Sequence, residues 1–451
     1  MTHPADLGVE DAAAALAGRT LSSRELVEAC LARIRERDGT HSHDGDPHSV
    51  NAWVRVYEDD ARAAADRADD RLAQGDAPIL CGIPIGLKDL YAVARKPLTA
   101  SSSLLDEVSE RDCDAWARFA AEGMVLLGHL HTHEFAAGGT TDQVGNPWAL
   151  DRSPGGSSGG SAAALASGTV PATTGTDSAG SLRIPSAMCG TSTIKPTRGL
   201  VPMRGILPLG PTLDHAGPMT RTVRDCEPLL AALAAVVPPT ARRPLRRVAV
   251  SPRVALVDLD PDVAEGFDAV LTALSETLGA KRVEPPPPPA ALDLGLDLLD
   301  VVCSEMLVYH RRFDDRRELY RPSIRGFLEY GESRAMSAEE YVAAQTRRTE
   351  LTDAWLDWLA EHRIDTIVEP TVPIVAQPRG HGYDEAFTDV AEISLTHYWN
   401  WTGFPVAALP SGVGRRSGLP VSVSLIGRLG ADWDLLAAGA ALQEELGTVA
   451  L

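Results

Sequence analysis

The sequence has little of several features that would identify other classes of protein. Aromatic residues make up 5% of its 451 residues, and its six cysteines include no C-x-x-C pair. Scattered single cysteines fit neither a disulfide framework nor a zinc module. No apolar run approaches the roughly 18 residues that a membrane-spanning helix requires. The acidic start MTHPADLGVED also lacks the pattern of a secretion signal. These absences predict a cytoplasmic protein with reduced thiols.

Basic residues are also scarce. The chain carries 42 Lys and Arg against 62 Asp and Glu, which gives a formal net charge of −20. A surface of that sign repels phosphate backbones and anionic lipid headgroups, so we expect neither nucleic acid nor a membrane as a partner. The 44% of apolar residues is enough for a large buried core and excludes intrinsic disorder.

Helical and strand-like patterns alternate along the chain, and we expect one domain, residues 1–451. The expected class is α/β, with a central mixed β-sheet covered by helices on both faces. Ser22 and Glu25 form a capping box before an apolar helical stripe. The predicted segments are N-terminal helices at 1–75, strands with Gly- and Ser-rich loops at 76–230, a mainly helical part at 231–363 with a proline-rich connector at 284–289, and strands with a last helix at 364–451. In the last segment, two apolar runs flank a Gly-containing turn at 404–427 and predict a hairpin.

The segment 153–185 reads SPGGSSGGSAAALASGTVPATTGTDSAGSLRIP. Glycines let a backbone approach a ligand closely, and the N–H groups of such loops hold anions. We predict a helix at 161–167 between two such loops. A flexible linker is the alternative, but these loops are short and lie between apolar elements. Residues 155–159 also fit the G-x-S-x-G nucleophile elbow. That elbow must follow a buried strand, whereas GNPWALDRSP precedes it here.

Further motifs surround this segment, including GIPIGLKDL at 82–90, THEFAAGG at 132–139 and DHAGPMTRTVRD at 214–225. Together with GGSSGGSAAA and GTDSAGSLRIPS, they make nearly the whole chain similar to the amidase signature family. The resemblance implies the amidase-signature fold. It also implies hydrolysis of a small-molecule carboxylic amide through an acyl-serine intermediate, with release of ammonia or an amine and without a metal or cofactor.

The resemblance also implies which residues react. Ser181 matches the nucleophile, Ser157 the bridging serine that follows a cis peptide bond, and Lys88 the base. The family usually has Thr-Gly-Gly-Ser where this chain has Ser-Ala-Gly-Ser, which places a methyl group beside the expected oxyanion hole. The other implied site residues are the backbone amides of Ser178, Ala179, Gly180 and Ser181 as oxyanion hole, and Asp177 and Arg183 as a supporting ion pair.

The chemistry requires a neutral Lys88, because a serine hydroxyl is a weak nucleophile without an adjacent base. At its reference pKa, a lysine is neutral in only about one molecule in 2,500 at pH 7. The apolar neighbours of Lys88 predict burial and a lowered pKa. We expect Asp89, the nearest residue of opposite charge in the sequence, to face away if the segment is extended.

His129, His131 and His133 alternate along the chain. On a strand they would share one face, as the ligands of a zinc site do. The resemblance instead places this stretch beside the active site with no metal.

Two other groups have open interpretations. Trp399, Asn400 and Trp401 either pack in the core or line the acyl pocket, which we expect between residues 290 and 400. Gln345 and Arg348 lie on a predicted helix that, in glutamine-using members of the family, helps to hold the substrate carboxylate.

Three functions remain open at this point. The first is a linear-amide hydrolase, including one that acts on ureide-type or allophanate-type amides. The second is a glutaminase-type subunit that supplies ammonia to a protein partner. The third is a non-catalytic relative that only binds, which the presence of all three triad residues disfavours. A homodimer is compatible with each of them.

Overall fold

The structure is a computed structural model that describes residues 3–288, 295–380, 382–387 and 390–451. The strands are β1 (Trp53–Val56), β2 (Pro84–Lys88), β3 (Pro97–Leu98), β4 (Glu107–Val108), β5 (Val125–Leu130), β6 (Ala172–Asp177), β7 (Ser192–Lys195), β8 (His215–Thr220), β9 (Arg247–Val250), β10 (Lys281–Val283), β11 (Thr366–Pro370), β12 (Val406–Val413) and β13 (Pro420–Ile426). The α-helices are α1 (Val9–Ala17), α2 (Ser23–Arg37), α3 (Glu58–Gln74), α4 (Asp114–Ala121), α5 (Gly159–Ala166), α6 (Arg183–Cys189), α7 (Val223–Ala234), α8 (Pro261–Thr272), α9 (Asp297–His310), α10 (Pro322–Arg334), α11 (Ala338–Glu361), α12 (Val390–Ile393), α13 (His397–Thr402) and α14 (Asp432–Leu446).

Eleven strands form one mixed sheet in the order β1-β5-β2-β6-β8-β7-β12-β13-β11-β9-β10. The pairs β5–β2, β2–β6, β11–β9 and β9–β10 are parallel, and the other neighbours are antiparallel. Every residue of β2, β5 and β6 is buried, which is typical of strands covered on both faces. The α/β class with a central mixed sheet flanked by helices is therefore confirmed.

The sheet brings together the ends of two distant segments. β2 and β6 are neighbours and run parallel, with Gly86 opposite Thr173. Lys88 ends β2, and Asp177 ends β6. Because parallel strands end at the same edge of a sheet, residues that are almost ninety positions apart meet there.

Two local predictions are confirmed. Ser22 and Glu25 cap α2 reciprocally: the Glu25 N–H donates to the Ser22 hydroxyl at 3.1 Å, and the Ser22 N–H donates to the Glu25 carboxylate at 2.8 Å. The C-terminal hairpin is the antiparallel pair β12–β13. Of the helices that the structure describes, none combines the length and the apolar character that a bilayer span demands.

Several predicted bounds are wrong. The sequence predicts helices at 1–75 and a mainly helical part at 231–363, but β1 lies within the first segment, and β9 and β10 lie within the second. These strands have three or four residues, too few for an alternating pattern to show in the sequence. The signature helix begins at Gly159 rather than at residue 161. The connector predicted at 284–289 is described as far as Pro288, and its last proline and residues 290–294 lie outside the described residues.

Candidate active site

Lys88 lies at the centre of a group of hydroxyl side chains. Its side chain is fully buried. Its Nζ donates hydrogen bonds to the hydroxyl oxygens of Ser157 at 2.7 Å, Ser158 at 2.9 Å and Thr176 at 2.9 Å. A neutral amine also carries a lone pair, so a proton can pass between Lys88 and Ser157 along the shortest of these contacts.

The surroundings of Lys88 favour its neutral form. Burial lowers its pKa to about 7, although the negative charges of Asp177 and Asp214 oppose the shift. About half of the molecules then hold Lys88 neutral at pH 7, roughly a thousandfold more than at its reference pKa. The lowered pKa agrees with the direction predicted from the sequence.

Asp89 follows Lys88 in the sequence but belongs to different surroundings. Its buried carboxylate accepts hydrogen bonds from the N–H of Thr99 at 3.3 Å, from the N–H of Ser101 at 3.1 Å and from the Thr99 hydroxyl. These contacts hold the carboxylate away from Lys88, as an extended chain predicts.

Ser157 precedes the first turn of α5 and is fully buried. The peptide bond between Gly156 and Ser157 is cis, which is the bond that the resemblance predicts to be cis. A Cβ atom on Gly156 would lie 2.1 Å from the carbonyl oxygen of Thr140, so only glycine fits there. The described residues 131–156, which lead into Ser157, contain no strand, so the nucleophile-elbow interpretation lacks the strand it requires.

The turn between β6 and α6 carries Ser181. Arg183 donates to the Asp177 carboxylate from Nε at 2.9 Å and from a terminal nitrogen at 3.0 Å, and both side chains are fully buried. Burial alone would raise the pKa of Asp177, but the charge of Arg183 and its hydrogen bonds lower that pKa well below its usual range. This bidentate pair fixes the two ends of the turn relative to each other.

Asn400 completes this ion pair. Its side-chain amide donates to the carbonyl oxygen and to the carboxylate of Asp177, both at 2.8 Å, and its oxygen accepts from Arg183 at 2.6 Å. Asn400 lies on α13, more than two hundred residues away in the sequence. The turn is therefore held from the C-terminal part of the chain.

The backbone of the turn presents unused donors. In the described part of the chain, the N–H groups of the four predicted residues, Ser178, Ala179, Gly180 and Ser181, donate to no protein acceptor. Gly180 has a φ of +145°, a conformation that side chains rarely adopt. Adjacent N–H groups beside a serine hydroxyl can hold the negative oxygen that forms when a carbonyl group is attacked.

A second carboxylate supports the turn from the other side. The Ser178 hydroxyl donates to Asp214 at 2.5 Å, and the N–H groups of Leu209 and Gly210 donate to the same carboxylate. Burial raises the pKa of Asp214 to about 6, although these hydrogen bonds oppose the shift. In the sequence, Asp214 stands out only as the first residue of a motif, and no role was predicted for it.

A cavity of about 250 Å³ opens next to Ser181, and Ser178 and Ala179 also line it. Its other described walls come from Ala136–Gly139, from α6, from Leu209, from α9 and α10, and from Phe387, Val390 and Ile393. The pocket is expected between residues 290 and 400, and the walls from α9, α10 and Phe387 onward lie in that range. The walls from Ala136–Gly139, α6 and Leu209 lie outside it.

The three alternating histidines do not share one strand face. Only His129 lies in β5, where its Nε2 meets the carbonyl oxygen of Tyr91 at 3.0 Å. Nδ1 of His131 lies 3.1 Å from the Ser101 hydroxyl, and Nδ1 of His133 lies 3.0 Å from the carbonyl oxygen of Thr140. Within the described ranges, no group of three or more His, Cys, Asp or Glu side chains is arranged to hold a metal ion.

The aromatic cluster at 399–401 packs in the core. Trp399 and Trp401 are buried in two different apolar clusters, and neither lines the cavity. Trp399 donates from Nε1 to the buried carboxylate of Glu369 at 2.5 Å and lies close to Trp355, with ring centroids 5.4 Å apart. Core packing, one of the two interpretations open from the sequence, is therefore the observed one.

Arg348 is occupied by the protein itself. It donates to the carbonyl oxygens of Trp401, Thr212 at 2.8 Å and Asn400 at 3.2 Å, and contacts Gln345 at 3.4 Å. A guanidinium group used in this way stabilises the loops around α13. It does not face the cavity.

Comparisons with known proteins place the chain in a family. The profile of the family described as "Amidase" matches residues 25–436. The chain is 34% identical to a subunit of the glutamyl-tRNA(Gln) amidotransferase of Roseiflexus sp. (strain RS-1), over 98% of this chain and 97% of the relative. It is also 34% identical to an amidase of Pseudomonas putida, over 92% of each chain. A solved structure described as a crystal structure of an amidase superposes with a TM-score of 0.86 at 29% identity, and the match covers 98% of this chain and 100% of that one. The chain belongs to the amidase family and is an amide hydrolase that acts on carbon–nitrogen bonds.

Proposed function

We propose that the chain hydrolyses its amide through an acyl-enzyme on Ser181, with Lys88 as the base and Ser157 as the proton relay. The observation that carries the proposal is the fully buried Lys88, with its pKa near 7 and its Nζ 2.7 Å from the Ser157 hydroxyl. A lysine in that state accepts a proton at neutral pH, which few lysines do.

The first half of the reaction forms the acyl-enzyme. The Ser181 oxygen attacks the amide carbonyl carbon while its proton passes to Ser157, and the Ser157 proton passes to Lys88. The new negative oxygen accepts hydrogen bonds from N–H groups of the turn Ser178–Ser181. When the carbon–nitrogen bond breaks, the proton returns from Lys88 through Ser157 to the nitrogen, which leaves as ammonia or an amine.

The second half returns the enzyme to its starting state. A water molecule attacks the ester carbonyl carbon, and its proton follows the same path to Lys88. The bond between the acyl carbon and the Ser181 oxygen then breaks, and that oxygen regains a proton through Ser157. Asp177, Arg183 and Asn400 act by fixing the turn and take no proton in either half.

Partitioning between water and hydroxylamine tests the acyl-enzyme. Two amides with the same acyl group but different amines should give the same ratio of hydroxamate to acid, because both pass through one acyl-Ser181. Ser181→Ala should lower the rate of both products at least about a thousandfold. A ratio that changes with the leaving amine would contradict a shared acyl-enzyme.

Relatives named as a glutamyl-tRNA(Gln) amidotransferase component favour a second candidate, a glutaminase-type chain that supplies ammonia to a protein partner. Against it, Arg348, a candidate for holding the carboxylate of glutamine, donates to backbone carbonyl groups instead. Turnover of glutamine by the purified chain, faster in the presence of a co-purifying protein, would establish this second function.

Homodimer formation and a cytoplasmic location stay predictions. Size-exclusion chromatography with light scattering measures the first, and a mass near twice 47.9 kDa is the expected result. Fractionation of the producing cells measures the second.

A further inference from the structure

The cavity beside Ser181 has almost purely apolar described walls. Leu298, Val302 and Met306 line it from α9 at a spacing of four residues, which places them on one side of that helix. Phe327 on α10 and Ile393 on α12 also line the cavity. The only hydroxyl groups in the described lining belong to Ser178 and Ser181.

No side chain among the described lining residues carries a charge. The nearby acid Glu305 lies between Val302 and Met306 in the sequence of α9. It accepts hydrogen bonds from the N–H of Thr212 at 3.0 Å, from the Thr212 hydroxyl at 2.7 Å and from the Tyr341 hydroxyl at 2.7 Å. Protein donors therefore already satisfy the charge of Glu305. In the same way, backbone carbonyl groups satisfy the charge of Arg348.

We propose that this cavity binds an uncharged, apolar acyl group of the substrate, and the proposal rests on acylation of Ser181. The acyl group remains bonded to Ser181 after the amine has left, so it must fit the space that this serine lines. A volume of about 250 Å³ lies just below the range usual for drug-sized ligands, which favours a short alkyl or single-ring acyl group. A carboxylate or an α-amino group in the cavity would lose its hydration without gaining a partner.

The first test compares amides that differ in one feature each. From acetamide through butanamide to hexanamide, kcat/KM should rise roughly fourfold per methylene until the cavity is full. Adipamic acid is hexanamide with its terminal methyl group replaced by a carboxylate. Its kcat/KM should be at least about a hundredfold lower than that of hexanamide. N-butylacetamide is an isomer of hexanamide with the longer chain on the amine side, and it should be the poorer substrate of the two.

The second test changes the cavity. Val302→Phe fills part of it, so the ratio of kcat/KM for hexanamide to that for acetamide should fall at least tenfold. Val308→Phe makes the same substitution on the same helix, but Val308 is 76% exposed and lies outside the cavity, so the ratio should stay as in the wild type. Should Val302→Phe fail to fold, Val302→Ala enlarges the cavity and should shift the preference toward amides longer than hexanamide.

Each result decides a separate claim. Equal kcat/KM for hexanamide and adipamic acid, or an unchanged ratio in a folded Val302→Phe enzyme, would overturn the apolar acyl site while leaving the acyl-enzyme intact. A preference for N-butylacetamide over hexanamide would move the apolar group to the amine side and also overturn it. Hydrolysis of hexanamide by Ser181→Ala would instead overturn the proposed function.

Discussion

Lys88 is buried with three hydroxyl groups around its amine, and its pKa lies near 7. Because the neutral amine is the reactive form, kcat/KM should rise with pH through an apparent pKa near 7 and level off above it. Below that pKa, the protonated amine cannot take the proton from Ser157. A pH series of initial rates on an uncharged amide measures this profile, since such a substrate does not itself titrate.

The control for this prediction is Lys88→Met, which keeps the length of the side chain and removes the base. We expect its turnover to be abolished while its thermal unfolding remains cooperative. A folded Lys88→Met enzyme that turns over rapidly with an unaltered pH profile would show that another group is the base.

Gly180 tests the oxyanion hole. Its φ is +145°, and an added Cβ would lie 2.3 Å from the Thr396 hydroxyl oxygen and 2.7 Å from Cδ1 of Ile184. Gly180→Ala should therefore shift the turn and lower kcat roughly 10²-fold or more, the loss expected when one oxyanion donor is misplaced. KM should change much less.

The neighbouring position supplies a matched comparison. Ala179→Gly removes the methyl group instead of adding one and should stay active, with a slightly lower stability because the unfolded chain gains freedom. Ala179→Val adds β-branched bulk and should resemble Gly180→Ala in its loss of kcat. Full activity in both Gly180→Ala and Ala179→Val would show that this turn does not bind the oxyanion.

At the scale of elements, α13 positions the turn between β6 and α6 through Asn400. Asn400→Ala removes two hydrogen bonds to Asp177 and one from Arg183. We expect a loss of about 1–3 kcal/mol in the free energy of unfolding. We also expect a fall in kcat with little change in KM, because the nucleophile and the amide donors lose their alignment. Urea denaturation and steady-state kinetics measure the two effects.

A control variant on the same short helix separates positioning from stability alone. Thr402→Ser changes another side chain of α13, whose hydroxyl donates to the carbonyl oxygen of Tyr398 at 3.3 Å. This variant should lower stability slightly through the lost methyl group without changing kcat. An Asn400→Ala enzyme with wild-type kcat would contradict the positioning role.

The elements that the sequence predicts well have strong local signals. The capping box before α2 and the apolar runs of the β12–β13 hairpin each lie within a few consecutive residues. β1, β9 and β10 have no such signal, because pairing with distant strands forms them. The role of Asn400 could not be predicted either, since its partners Asp177 and Arg183 are more than two hundred residues away.

At the scale of the whole molecule, the sheet joins residues from separate parts of the chain into one site. The apolar surroundings of Lys88 indicate a lowered pKa from the sequence alone. Its pairing with Ser157 rests on the family resemblance, because spacing along the chain does not indicate contact in space. Asp214 could have been suspected, since it opens a motif that also matches the family.

Every proton transfer in the proposed mechanism uses a side chain of the protein, so a chelator of metal ions should not affect the rate. His129, His131 and His133 each share a hydrogen bond with a protein oxygen, and burial lowers the pKa of His131 to about 3. Overnight dialysis against EDTA should therefore leave kcat/KM unchanged. Activity that is lost on dialysis and restored by zinc would contradict the proposed mechanism and make the histidines candidate ligands.

The most direct test of the proposed mechanism is the site of covalent labelling. Of the two proposed triad serines, Ser181 lines the cavity, whereas Ser157 is fully buried. A fluorophosphonate should therefore label the wild-type enzyme once, and peptide mapping should place the label on Ser181. Lys88→Met should react far more slowly, because the base that activates Ser181 is missing. A label on Ser157, or equal labelling of wild type and Lys88→Met, would contradict the assignment of the nucleophile and its base.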